Sequence, residues 1–251
     1  MTTNGHLLEV VGLGKRFGTV RALHNVSFGV AESEIVGLVG DNGAGKSTLI
    51  NLLMGVYPPS EGEIHFDGKR VRFASPSESR KQGIEPAYQH SALVEMMSLW
   101  RNFFLGREIE RRVGPFQFLD RRRMREECMR SMRDIGVNVR SAEEGVRHLS
   151  GGERQSICIG RCMHFGAKLL LLDEPTAALS VRETERVLAY ARAVKEQGIS
   201  EIIVDHNIYH IYPVVDKFIV LDHGNKLAEL KKADVTPEDV INIVRTGQYA
   251  D

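Results

Sequence analysis

The sequence predicts an α/β protein with a helical segment inserted into its core. Short apolar runs typical of buried strands occur at 35–39, 169–172 and 202–204. Helical patterns separate the later runs, and such alternation of strands and helices favours an α/β core. From about Tyr88 to Phe165 the pattern is helical and rich in arginine, which predicts a separate helical subdomain.

The 251 residues are expected to form one domain, with 42% hydrophobic and 26% charged residues as in ordinary globular proteins. Its core is expected at about 1–88 and 165–251. The helical subdomain is expected at about 89–164. No low-complexity linker or internal repeat divides the chain.

Helix and turn signals support this division. Ser75-Pro76-Ser77-Glu78 combines a capping serine, a proline in the first turn and a glutamate three residues after the cap, and it predicts a helix that ends near Gly83. Ser180 and Glu183 repeat the capping pattern, and Thr236-Pro237-Glu238 opens a last helix. Two strands are expected around the turn Asp222-His223-Gly224-Asn225.

Net charge and hydropathy limit the partners and the cellular location expected for the protein. The formal net charge is +0, so no global field attracts nucleic acid, and no nucleic-acid partner is expected. The first residues lack the pattern of a secretory signal, and no apolar run approaches the roughly 18 residues of a membrane span. Cys128, Cys158 and Cys162 form no metal-binding pattern. A cytoplasmic protein without a protein-only metal centre is expected.

A phosphate-binding loop is predicted where residues 40–47, Gly-Asp-Asn-Gly-Ala-Gly-Lys-Ser, fit the pattern G-x-x-x-x-G-K-[ST]. The loop follows a buried strand and precedes an apolar helix face, which is the context that the motif requires. Lys46 is expected to neutralise the β and γ phosphates of ATP, and Ser47 to offer its hydroxyl to Mg²⁺. The remaining ATP contacts are expected from Gly40, Asn42, Gly43, Ala44, Gly45 and Thr48.

Two adjacent carboxylates follow the run of four leucines at 169–172. A strand here would bring Asp173 to the Mg²⁺ shell beside the phosphate loop. Glu174 would then point past the strand end toward the attacking water, as a general base or a water-orienting group. A P-loop kinase would use Lys46 and Asp173 in the same way, so these residues alone leave that alternative open.

A second glycine-rich helix start occurs at residues 149–155, Leu-Ser-Gly-Gly-Glu-Arg-Gln, although one ATP needs only one cradle. With this signature motif and the phosphate loop in order, the chain resembles the ATP-binding cassette (ABC) family. The resemblance implies a P-loop NTPase core with an antiparallel β subdomain. It also implies an ATP-bound dimer in which Ser150, Gly151 and Gly152 cover the γ-phosphate held by the other copy. A homodimer is expected, and pairing with a different cassette chain stays open.

The resemblance extends over essentially the whole chain and assigns further roles position by position. Phe17, 23 residues before Gly40, matches the aromatic residue that stacks on adenine. Gln89 matches the glutamine that reaches Mg²⁺ and the attacking water, and His206 matches the switch histidine at the γ-phosphate. Ser180 departs from the family pattern, which commonly has aspartate there, so its contribution across a dimer is open.

Residues 98–107 and 173–180 resemble ATPase subunits of bacterial importers for monosaccharides such as fructose, ribose or xylose. That resemblance implies integral-membrane permease subunits as partners, an external sugar-binding protein acting indirectly, and a peripheral position on the inner face of the cell membrane. Residues 96–106 are large and apolar, and they suit either a docking patch or a core. The alternative is a soluble cassette ATPase acting on ribosomes or nucleic acid, with Arg121 to Arg125 as a phosphate-contacting patch.

Overall fold

The structure is a computed structural model that describes residues 5–87, 93–134, 139–177 and 179–249. The chain divides into two compact units. The core unit comprises Met1–Ala87 and Ala167–Asp251, and the inserted unit comprises Tyr88–Gly166. Within the described ranges, no helix is both long enough and apolar enough to cross a membrane.

The strands and helices follow one another along the chain in a mixed order. The strands are β1 (His6–Phe17), β2 (Val20–Ala31), β3 (Ile35–Val39), β4 (Glu61–Phe66), β5 (Lys69–Val71), β6 (Ile84–Ala87), β7 (Glu110–Val113), β8 (Phe116–Leu119), β9 (Leu169–Asp173), β10 (Ser200–Val204), β11 (Lys217–Asp222) and β12 (Asn225–Lys231). The helices are α1 (Lys46–Leu53), α2 (Pro76–Lys81), α3 (Leu99–Phe104), α4 (Arg121–Asp134), α5 (Gly151–His164), α6 (Val181–Glu196), α7 (Ile208–Ile211) and α8 (Pro237–Thr246).

A six-stranded sheet forms the centre of the core unit, with the order β12-β11-β3-β10-β9-β6. All of its pairings are parallel except that of β12 with β11. Every residue of β3 and β10 is buried, so neither strand alternates between apolar and polar faces, although β10 begins with the buried polar residues Ser200 and Glu201. Because the strands are parallel, the carboxyl ends of β3, β9 and β10 lie at one edge of the sheet.

A four-stranded antiparallel sheet, in the order β2-β1-β4-β5, completes the core unit. Its inward residues, among them Val10 and Phe66, share one hydrophobic cluster with Leu49 of α1 and Leu171 of β9. The predicted α/β core with an antiparallel β subdomain is therefore confirmed.

The predicted helix starts agree with the structure. The Ser75 hydroxyl accepts a hydrogen bond of 3.4 Å from the backbone N–H of Glu78 at the start of α2. Thr236 caps α8 by accepting from the backbone N–H of Asp239 at 3.2 Å. Such caps satisfy N–H groups that the first helical turn leaves without partners. Helix α2 ends at Lys81, shortly before the predicted Gly83.

The inserted unit packs α3, α4 and α5 around buried side chains that include Trp100, Phe103 and Met124. The expectation of a wholly helical segment is wrong for residues 110–119, where β7 and β8 form an antiparallel hairpin. Its turn contains Gly114, whose φ of 61° lies in the left-handed region, followed by Pro115. Both residues disfavour a helix, and the arginines around them concealed the turn.

Truncating the core phenylalanine of β4 should destabilise the protein. Phe66 is 1% exposed, so Phe66→Ala removes well-packed atoms and should lower the free energy of unfolding by about 3–5 kcal/mol. Phe116→Ala is the matched control, because Phe116 is 65% exposed and its loss should change that free energy by less than ~0.5 kcal/mol. Urea denaturation followed by circular dichroism measures both, and equal effects would contradict the packing described for β4.

Candidate functional site

The phosphate loop lies between β3 and α1, and two of its glycines have conformations that other residues adopt at a cost. Gly40 has φ 149°, and a Cβ atom there would lie 2.2 Å from the carbonyl oxygen of Leu221. Gly45, the residue before α1, has φ 101°, and a Cβ atom there would lie 2.9 Å from the carbonyl oxygen of Ala22. The loop is therefore shaped by close contact with neighbouring backbone.

Lys46 is the first residue of α1 and is 9% exposed. Its Nζ donates hydrogen bonds to the carbonyl oxygens of Gly40 at 2.7 Å and Asp41 at 3.0 Å. Burial lowers the pKa of Lys46, while the charges of Glu174, Asp41 and Asp173 act to raise it. The ammonium group thus lies inside the loop with acidic groups nearby.

The other predicted loop residues differ in exposure. Asn42, Gly43 and Ser47 are exposed, Thr48 is half-buried and Ala44 is buried. The backbone N–H of Asn42 is occupied by the Asp41 carboxylate at 2.7 Å. Ser47 is the second residue of α1, so this exposed serine lies at the helix start.

Asp173 and Glu174 lie at the carboxyl end of β9, as the run of leucines predicts. Partial desolvation and then the neighbouring Glu174 charge raise the pKa of Asp173, and Lys46 opposes them. Glu174 has φ 48°, a conformation unusual for a residue with a side chain. Its backbone N–H donates to the carbonyl oxygen of Val204 at 2.7 Å, so the ends of β9 and β10 are tied together.

His206 follows β10 and lies beside Glu174. The distance from its Nδ1 to Glu174 Oε1 is 3.8 Å, and the side chains are 63% and 48% exposed. The core unit therefore brings together four predicted residues, which are Lys46, Asp173, Glu174 and His206. Two carboxylates, an imidazole and an ammonium group are side chains that can bind phosphate and orient or deprotonate water.

Phe17 lies at the end of β1 and is 42% exposed. Its ring contacts Tyr57 edge to face, with centroids 5.2 Å apart. Lys15 Nζ lies 5.0 Å from the Phe17 centroid and donates to the carbonyl oxygen of Pro58 at 2.8 Å. No sequence motif pointed to Lys15 and Tyr57, because the contact joins β1 to the segment after α1.

The predicted signature motif begins α5 in the inserted unit. The backbone N–H of Ser150 donates to Glu153 at 2.8 Å, and the Ser150 hydroxyl accepts from the Glu153 backbone N–H at 3.3 Å. Hydrogen bonds to the Glu153 carboxyl, from the Ser150 backbone N–H first and then from the Ser150 side chain, lower the pKa of Glu153 below its ordinary value. Gly151 and Gly152 form the first helical positions, whose N–H groups have no partner within a helix.

Gln89 and Ser180 are two further residues for which the sequence raises the question of a role in the site. Gln89 lies outside the described residues. Ser180 precedes α6, and its backbone N–H and hydroxyl both donate to the Glu183 carboxylate, at 3.0 Å and 2.7 Å. The serine thus keeps a local capping role at the position where the family commonly has aspartate.

The fold and the phosphate loop define a P-loop nucleotide-binding protein, and comparison with known proteins gives its family. Residues 23–177 match the ABC transporter family. The chain belongs to that family, and it binds and hydrolyses ATP.

Two relatives of similar length are named as ATP-binding proteins of sugar import. The chain is 40% identical over 238 residues to the xylose/arabinose import ATP-binding protein XylG of Sulfolobus acidocaldarius, covering 95% of this chain and 93% of the relative. It is 38% identical to the fructose import ATP-binding protein FrcA of Rhizobium meliloti, covering 94% and 92%. It also matches the ribose import ATP-binding protein RbsA of Caldanaerobacter subterraneus subsp. tengcongensis at 34% identity, but spans 47% of that protein.

Solved structures agree on the fold. The structure superposes on an ATP-binding cassette of an ABC transporter in its ADP conformation with a TM-score of 0.77 at 24% identity, covering 96% of this chain and 95% of that one. A nucleotide-free ATP-binding cassette gives a TM-score of 0.76 at 23% identity, with the same coverage.

Adding a methyl group at the start of α1 should disrupt ATP binding. In Gly45→Ala the new Cβ atom meets Leu23 and the Ala22 carbonyl at a φ of 101°, so the loop must shift. We expect an ATP affinity at least about tenfold weaker and a loss of stability of about 1–3 kcal/mol. Isothermal titration calorimetry and thermal unfolding measure these. Gly114→Ala, with no atom within 4 Å of the new Cβ, is the control and should leave the affinity unchanged.

Proposed function

We propose that the chain is the ATP-hydrolysing subunit of a bacterial importer for a monosaccharide. The observation that carries the proposal is the match over more than nine-tenths of both chains with two proteins named for pentose and fructose import. The cluster of Lys46, Asp173, Glu174 and His206 supplies the chemistry that such a subunit needs. Fructose is the sugar we would test first.

At the phosphate loop, the backbone N–H groups and the start of α1 favour the β and γ phosphates. Lys46 exchanges its hydrogen bonds to loop carbonyls for phosphate oxygens of opposite charge, which is favourable. Glu174 orients or deprotonates the attacking water, and His206 contacts the γ-phosphate from the adjacent loop.

Mg²⁺ fits the oxygen groups at this edge of the sheet. Ser47 is exposed at the helix start, and partial desolvation followed by the Glu174 charge raises the pKa of Asp173, so a bound cation would stabilise the ionised carboxylate. Ser47, Asp173 and Gln89 would hold the ion. Bound Mg²⁺ would neutralise charge on the phosphate oxygens.

Adenine would stack on Phe17. The exposed ring is held by Tyr57 at its edge, and a ring fixed in this way loses little freedom on binding a base. Lys15 is held in turn by the Pro58 carbonyl, and its charge lies beside both rings at 5.0 Å and 5.5 Å.

The start of α5 would serve the second ATP of a homodimer. Its free N–H groups at Gly151 and Gly152 and its dipole favour a phosphate, and Ser150 is exposed at the helix start. Two such sites make closure depend on ATP, because hydrolysis removes the charge that bridges the copies. The Ser180 hydroxyl donates to the Glu183 carboxylate of its own chain. Ser180 would therefore contribute to such an interface in a different way from an aspartate.

Membrane permease subunits would be the principal partners, with an external sugar-binding protein acting indirectly, at the inner face of the membrane. In the proposed docking segment, Trp100, Phe103 and Phe104 are at most 3% exposed and belong to the core. Met96 and Leu105, at 82% and 38% exposed, remain for a contact. The large apolar side chains of this segment therefore belong mainly to the core, and only Met96 and Leu105 are exposed at its edge.

The alternative of a soluble ATPase acting on nucleic acid is not favoured. Arg122 and Arg123 pair with Glu126 and Glu127 at 2.9 Å and 2.7 Å, and Arg125 pairs with Glu143. These acids compensate the basic run, so it presents little net charge to a phosphate backbone. The signature motif at residues 149–155 likewise argues against the alternative that the chain is a P-loop kinase.

Replacing Glu174 with Gln tests the hydrolytic role. The amide keeps the shape but loses the base, so we expect ATP binding to persist while the hydrolysis rate falls by about 10²- to 10⁴-fold. ATP should then hold the variant as a dimer in size-exclusion chromatography. Glu196→Gln, on the exposed face of α6, is the control and should hydrolyse ATP normally. A monomer at saturating ATP would contradict the proposed mechanism.

The transport role is tested by purifying the tagged chain gently from solubilised native membranes. Co-purification of a permease and a sugar-binding protein is expected, and binding assays on the latter would identify the sugar. Recovery with ribosomal proteins or nucleic acid instead would refute the importer while leaving the ATPase chemistry intact.

A further inference from the structure

Four side chains below the proposed catalytic pair form a continuous series of hydrogen bonds. Thr176 Oγ1 lies 2.7 Å from Asp205 Oδ2 and 2.9 Å from His210 Nδ1. His210 Nε2 lies 3.0 Å from Asn207 Nδ2, and the backbone N–H of Asn207 donates to Asp205 Oδ1 at 2.9 Å. The series therefore closes on itself through Asp205.

The donors and acceptors have one consistent arrangement when Asp205 is ionised. The Thr176 hydroxyl has a single hydrogen, which it donates to Asp205, so its oxygen accepts from His210. His210 must then carry its proton on Nδ1, which leaves Nε2 free to accept from Asn207. Neutral His210 in this tautomer is thus the group that joins Thr176 to Asn207.

The series links the two segments that carry the proposed catalytic side chains. Thr176 is two residues after Glu174, and Asn207 directly follows His206. Asp205 and Thr176 are 0% and 3% exposed, whereas Glu174 and His206 above them are open to solvent. Exposed side chains have little packing of their own, so the placement of the Glu174 and His206 segments relies on buried bonds, namely this series and the hydrogen bond from Glu174 N–H to the Val204 carbonyl.

We propose that His210 is a positioning residue for ATP hydrolysis, holding the Glu174 and His206 segments in register through Thr176 and Asn207. The inference rests on the roles proposed above for Glu174 and His206. His210 itself touches neither nucleotide nor water in this account. Its loss should act on the rate of the chemical step, because a small displacement of an orienting group is costly there.

The test compares three variants of the full chain. His210→Leu removes both hydrogen bonds of the imidazole while keeping an apolar side chain of moderate size. Thr176→Val removes the hydroxyl with almost no change of shape. His65→Leu is the control, because His65 is a partly buried histidine of β4 that contacts Glu63 at 3.1 Å.

We expect His210→Leu and Thr176→Val each to lower kcat at least about tenfold, with the Kd for ATP within about twofold of the wild type. The double variant should lose little more than the worse single variant, since both residues act in one series. His65→Leu should keep kcat. If His210→Leu does not fold, Thr176→Val alone carries the test through the same split between kcat and Kd.

Two results would overturn the inference. The first is a kcat within twofold of the wild type in Thr176→Val or in folded His210→Leu. The second is a loss of kcat matched by equal losses of ATP affinity and thermal stability, which would show a merely structural role. Glu174→Gln, measured in parallel, separates the two proposals: if it retains the wild-type rate, the proposed function fails first.

Discussion

The parallel pairing of β10 between β3 and β9 is the constraint on which the site depends. Val204 pairs with Leu38 on one side and Asp173 on the other, which fixes the ends of three strands at one level. The phosphate loop, the carboxylates and His206 each begin where one of these strands ends. A shift of the register by one residue would reverse the faces of the buried strands, so the apolar core specifies the site indirectly.

Charge balance at this edge follows from the same geometry. Burial lowers the pKa of Lys46, and partial desolvation and Glu174 raise that of Asp173. Each group is therefore held in an environment that disfavours its own charge while its neighbours partly compensate. Bound phosphates and a cation would change this charge balance strongly.

The sequence predicted those features whose signals are local. The phosphate loop, the caps at Ser75 and Thr236 and the strand before Asp173 each involve residues close together in the chain, and the structure places them as expected. The β7–β8 hairpin was missed because its arginines suggested a continuous helix.

Long-range contacts were missed for a different reason. Tyr57 meets Phe17, and Thr176 meets His210, across 40 and 34 residues of chain. A histidine or tyrosine carries no mark of such a partner until the strands bring the segments together. The side chains proposed for the chemistry could therefore be named from motifs, whereas the contacts of Tyr57 and His210 could not.

In the dimer that we propose, each ATP lies between the phosphate loop of one copy and the start of α5 of another. The most direct measurement is the hydrolysis rate of a mixture of Lys46→Ala and Ser150→Arg chains, each inactive alone. In a mixed dimer, one of the two sites is intact. The Ser150→Arg chain supplies its phosphate loop, and the Lys46→Ala chain supplies its Ser150. The account predicts that mixing restores part of the wild-type rate; a rate no greater than the sum of the separate variants would contradict it.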